Sequence, residues 1–78
     1  MPTVLRIGPY RFHFYSDERT EPAHVHVRSA SGECKFWLDP VVLASNRGIA
    51  SHDLRDIEHI VFQHQALLKE KFHEFHRC

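Results

Sequence analysis

Tyr10, Phe12 and Phe14 take every second position between Tyr10 and Tyr15. Successive strand side chains point to opposite faces, so aromatics at period two mark a strand with one buried face. That face needs a cover. In the last third of the chain the period changes. Leu54, Ile57, Val61, His64, Leu68, Phe72 and Phe75 recur at spacings of three and four, the stripe of an amphipathic helix. The switch predicts an α+β fold: an antiparallel sheet of four or five strands packed on one long C-terminal helix, in a single domain over residues 1–78.

The other strands follow from the same reasoning. Thr3 to Ile7 is β-prone, and Gly8-Pro9 breaks it into a tight hairpin in which glycine supplies positive φ. Ser16 to Pro22 reads as a polar loop, His24 to Arg28 as the third strand and Ser29 to Gly32 as a turn. Glu33 to Asp39 reads as the fourth strand, with Phe36 and Leu38 inward and Lys35, Trp37 and Asp39 outward. Val41 to Ser45 reads as a fifth short strand. The alternative there is one helical turn with Asp39 as N-cap and Pro40 at its first position. Asn46-Arg47-Gly48 is turn-like, and Ser51 is the expected N-cap of the helix, with Asp53 in its first turn.

Ten basic residues balance ten acidic ones, so the chain lacks the bulk cationic character of a non-specific nucleic-acid binder. Its eight histidines make it strongly cationic on mild acidification. A domain of 78 residues has a small core; it can fold alone, and a partner protein or a second copy would help. Cys34 and Cys78 form no Cys-x-x-Cys pair, which fits a reducing cytoplasm. No secretory signal is visible, and no apolar run approaches the roughly 20 residues that span a membrane.

The outward sheet face carries the chemistry. In Pro22-Ala23-His24-Val25-His26-Val27-Arg28, alternation puts His24, His26 and Arg28 on one face. Arg11, His13, Tyr15, Lys35, Trp37 and Asp39 share it, and the helix is expected to leave it bare. One reading is a metal-independent ribonuclease. Cleavage through the 2′-hydroxyl needs a base, an acid and a cation on the phosphate. His24 and His26 are the candidate acid–base pair; Arg28, Arg11 or Lys35 would hold the phosphate; Tyr15 or Trp37 would stack a base. A second reading is a metal site, with His13, Asp17, Glu18 or Glu21 completing the His-x-His pair. The Cys/His spacing of a structural zinc site is missing and Arg28 disfavours a dication, so neither metal nor cofactor is assigned. A third reading is a docking surface without catalysis.

Other residues have plain roles. His64, on the helix stripe, reads as a boundary histidine with a hydrogen bond. His52 and His59 read as solvated. His73, His76 and Cys78 read as a frayed terminus, and Cys34 as an ordinary strand residue. Trp37 also admits a structural role.

The chain resembles the small bacterial family catalogued as domain of unknown function 4160. The resemblance rests on Met1-Pro2-Thr3, Arg6-Ile7-Gly8-Pro9-Tyr10, Phe14-Tyr15, Pro22-x-His24-Val25-His26-Val27, Lys35-Phe36-Trp37-Leu38, and Gly48 ahead of Leu54-x-x-Ile57. Ala23 departs from it, since a second proline is common there, and so does the tail His73 to Cys78. The family's members look like one half of two-gene modules similar to toxin–antitoxin pairs. The resemblance therefore implies a small cognate partner protein and an RNA target. The resulting expectation is a toxin-like, partner-binding component with a ribonuclease site on the bare face. The alternative is a non-catalytic interaction or regulatory module.

Overall fold

The computed structural model describes residues 3–15 and 20–77. Met1, Pro2, Cys78 and two of the loop carboxylates considered above, Asp17 and Glu18, lie outside the described residues. Five strands run β1 (Thr3–Ile7), β2 (Tyr10–His13), β3 (His24–Arg28), β4 (Glu33–Leu38) and β5 (Val41–Arg47). They form one antiparallel sheet in the order β1-β2-β3-β4-β5, each strand pairing with its sequence neighbour. Gly8 has φ 55 in the first hairpin, the left-handed conformation expected of it. Asp39-Pro40, joined by a cis peptide, connects β4 to β5. Residues 41–45 pair with β4 and belong to a strand, not to a helical turn.

The register fixes two faces. Phe12 opposes Val27, Val27 opposes Cys34, and Val25 opposes Phe36. These residues, with Phe14 and Leu38, are buried in the core. Ile49, just before the helices, joins them although the periodicity did not mark it. Cys34 is a core residue, and burial pushes its thiol up to about 12, so it stays protonated and inert.

The cover is two helices, α1 (Ser51–Gln63) and α2 (Gln65–Phe75), not the single long helix expected. The stripe passes through His64 without interruption, but the backbone there leaves helical geometry at φ −109, ψ 19. Its ring Nδ1 lies 2.9 Å from the Ile60 carbonyl, which also accepts the His64 backbone N–H. A side chain competing for a ladder acceptor is a recognised cause of a kink. His64 is thus the hydrogen-bonded boundary residue expected. The helix also starts differently at its N-terminus: Ala50, not Ser51, is the cap, and it makes no side-chain cap bond.

The break has a structural consequence. α1 lies on the apolar sheet face through Ile57 and Val61, and Tyr10 donates a hydrogen bond to Asp53 at 3.3 Å. α2 closes one end of the sheet. Gln65 donates to the Leu38 carbonyl at 2.6 Å, and Lys69 pairs with Asp39 at 2.9 Å. Phe72 meets Phe14 edge-on at 5.5 Å between centroids.

Leu68 is fully buried, whereas its neighbour Leu67 is 39% exposed. Leu68→Ala is expected to cost about 2–5 kcal/mol in denaturant unfolding, and Leu67→Ala less than about 1 kcal/mol. Equal losses at the two positions would mean that α2 is rotated from the orientation described.

Candidate functional site: a carboxylate among histidines

Opposite the core, the register lays out side chains in rows. His13, His26 and Lys35 are cross-strand neighbours, and His24 stands opposite Trp37. Arg11, Arg28 and Glu33 form the adjoining row. Residues directly opposite in antiparallel strands project to the same side, close enough to touch. This is the polar face expected from alternation.

At its centre is Glu33. Tyr15 donates its hydroxyl proton to Glu33 Oε2 at 2.7 Å. His26 Nδ1 lies 3.4 Å from the same oxygen and His13 Nε2 lies 3.9 Å from it. Arg28 donates to the other oxygen, Oε1, through Nε at 3.3 Å and Nη2 at 3.2 Å. The rings pack around the carboxylate: His13 stacks on His26 at 5.7 Å, and Tyr15 meets His26 edge-on at 4.3 Å. Partial burial alone would raise the Glu33 pKa, but the Tyr15 hydroxyl, His13, Arg28 and His26 outweigh it and hold the carboxyl below its ordinary value. His13 moves down as well. Its cause is burial, aided by His26 and Arg28 and opposed by Glu33. The buried His13 Nε2 makes no hydrogen bond among the described residues.

The sequence-derived site residues divide between environments. His26, Tyr15 and Arg28 gather at Glu33 and line a cleft of 740 Å³ with Ser29, Ser31 and Arg47. His24 is different: its ring is fully buried. Its Nδ1 donates to the Pro22 carbonyl at 2.8 Å, and Phe72 of α2 packs 5.2 Å from it. The face is therefore not bare at this end, contrary to expectation, because the break at His64 lets α2 reach it. His24 still touches His26, edge-on at 5.4 Å. Lys35 pairs with Glu21 and lies over the Trp37 ring at 4.6 Å. Trp37 also meets His24 edge-on. Arg11 is exposed beside Arg28. Among the described residues, no group of three or more His, Cys, Asp or Glu side chains is arranged to hold a metal.

Glu33 was not singled out from the sequence. Alternation with Lys35, Trp37 and Asp39 carried the signal, since it puts Glu33 on their face.

The class this defines is a small α+β domain with a five-stranded antiparallel meander, one face in the core and the other built around a carboxylate. The chain belongs to the family described as "Domain of unknown function (DUF4160)", which matches residues 10–73. No curated protein and no solved structure matches it. Among the described residues, no helix is long and apolar enough to cross a membrane.

Both shifts predict acid sensitivity. As pH falls past 6.5, the unfolded chain takes up the His13 proton before the folded one does, so stability is lost from there down to the folded pKa. Glu33 adds a second loss below 4.5 for the same reason. Thermal melts of the wild type and His13→Gln should diverge less at about pH 5 than at about pH 7.5. Parallel curves would show that His13 titrates alike in both states.

Proposed function

We propose that this chain is the toxin-like, partner-binding component of a small two-gene module, acting in the cytoplasm as a metal-independent ribonuclease. The observation that carries the reading is His26, oriented by the Glu33 carboxylate at the wall of a cleft that Arg28 and Arg47 flank. A proton on Nδ1, facing the carboxylate, makes Nε2 the basic ring nitrogen. A carboxylate in that position also stabilises the imidazolium that forms when the base takes a proton.

The reaction then runs as an internal transfer. His26 removes the 2′-hydroxyl proton, and the 2′-oxygen attacks phosphorus. The bond to the 5′-oxygen breaks, and that oxygen takes the Tyr15 hydroxyl proton, which leaves its hydrogen bond to Glu33; the His26 imidazolium then restores a proton to Tyr15, whose ring it meets edge-on. Arg28 and Arg47 stabilise the added charge on the phosphate oxygens. The burial of His24 supports a positioning role: its ring packs against His26 and Phe72, where the sequence reading had made it the partner acid or base.

The partner-binding half of the proposal draws on β5. That strand is an edge of the sheet, with Val42 and Leu43 exposed. An open edge with apolar side chains suits strand addition by a small cognate protein.

His26→Ala is expected to lower cleavage of RNA by at least about 10²-fold, and His24→Phe, which keeps a ring against Phe72, by far less. DNA should stay intact because it lacks the 2′-hydroxyl. Expression should arrest growth, and the product of the adjacent gene should relieve the arrest. A folded parent protein that cuts no RNA, alone or on ribosomes, would sink the ribonuclease and leave the non-catalytic interaction module standing.

A further inference from the structure

One row of the register is chemically odd. Arg6 opposes Arg11, Arg11 opposes Arg28, Arg28 opposes Glu33, and Glu33 opposes Arg47. Four arginines and one glutamate thus cross all five strands on the polar face. The register irregularities fall elsewhere, between Thr3 and Leu5 and between Lys35 and Phe36. With neighbouring strands about 4.8 Å apart, the row is about 19 Å long. All four arginines are exposed. Glu33 engages Arg28, and no carboxylate pairs with Arg6, Arg11 or Arg47 among the described residues.

Like charges directly opposite each other destabilise a sheet. Arg11 has an arginine on each side, so the Arg6–Arg11–Arg28 part of the row does not serve the stability of the free chain. An anion laid along it would reverse the sign of that interaction. The surface beside the row is concave in two places. A depression of 300 Å³ lies against Arg6, Arg11 and Arg28. The cleft at Glu33 lies between Arg28 and Arg47. Arg28, Ser29 and Ala30 border both, so the two hollows adjoin there.

We propose that this row is a track for the phosphate backbone of single-stranded RNA, leading the strand across the sheet end into the cleft beside His26. The inference rests on the RNA reading above and adds the course of the substrate and two residues, Arg6 and Arg47, that the sequence did not mark. The spacing of guanidinium groups on β1, β2, β3 and β5 suits a chain of anions better than one small anion. Arginine forks match phosphate oxygens in pairs. The cleft is lined by Ser29, Ser31, Ser45 and Tyr15 hydroxyls, partners for phosphate and 2′-hydroxyl groups. An acidic polypeptide would need an apolar anchor at the centre of its contact, and the row holds none.

The test is the salt dependence of binding to a short, labelled, 2′-O-methyl single-stranded RNA, which cannot be cut through its 2′-oxygen. Each phosphate neutralised on a single strand contributes about −0.7 to the slope of log K against log salt. The parent chain should give a slope of about −2 to −3 between about 50 and about 200 mM salt. Arg6→Gln, Arg11→Gln and Arg47→Gln should each reduce its magnitude by about 0.7, alike for all sequences. Without RNA, Arg11→Gln should leave the melting temperature unchanged or raised, because it relieves repulsion. A slope unmoved by these variants, tighter binding to polyglutamate than to RNA, or a loss of thermal stability in Arg11→Gln would overturn the track. Salt-dependent binding that needs these arginines, in a chain that cuts no RNA, would keep the track and dismiss the nuclease. Cleavage indifferent to Arg6→Gln and Arg11→Gln would do the reverse.

Discussion

The pairing register of β2, β3 and β4 governs both halves of this molecule. Side chains alternate with period two, so a slip of one residue turns a strand's whole core set to the other face. In the observed register Phe12, Val27 and Cys34 line up under the helices while His13, His26 and Lys35 line up on the opposite side. A slipped β3 would drive two histidines into the apolar layer and expose two valines. Burying imidazole among hydrocarbon without partners costs on the order of kcal/mol per group, so the core that selects the register also assembles the polar cluster.

The polar face is held by one carboxylate against several nitrogen and oxygen donors. A solvent-exposed ion pair contributes little, about 0–1 kcal/mol, and the Arg28 contact alone would be of that kind, since its side chain is 62% exposed. Glu33 is only 21% exposed and also accepts from the Tyr15 hydroxyl. Hydrogen bonds to a charged acceptor in a partly dry setting are stronger than neutral ones. The downward shift of Glu33 despite its burial expresses this balance: the donors together outweigh desolvation. Among the described residues, Arg6, Arg11 and Arg47 pair with no carboxylate.

Much of this was legible in the sequence, and the failures have physical causes. Alternation located the strands, the buried aromatics and the polar face, because period two is a local property. The break at His64 was hidden because the apolar stripe runs through it unchanged; it shows only in the His64 backbone angles and in the Ile60 carbonyl that its ring shares with its own N–H. With a single straight helix expected, nothing could have revealed that Phe72 buries His24. Glu33 was passed over because a charged residue beside a turn looks like ordinary solvated surface. Its importance depends on which residues the register sets around it. The arginine row is the same case in a stronger form: Arg6, Arg11, Arg28 and Arg47 are scattered along the chain, and only five-strand pairing makes them neighbours.

These features divide the sheet between its two ends. At the end with Pro22, His24, Leu38 and Asp39, α2 packs rings on rings and ties itself down through Gln65 and Lys69. At the other end, the turns after β1 and β3 and the end of β5 leave the arginines in solvent. Gly32 belongs to this second end: a side chain there would collide with the Arg47 carbonyl, so its absence lets the β3–β4 turn lie against the end of β5. The row containing His13 and His26 runs between the two ends. It is backed by the closed end, which fixes its rings, and borders the open end, which is charged and accessible. A proton-transfer group needs both: neighbours that hold its orientation and a route by which a charged substrate arrives.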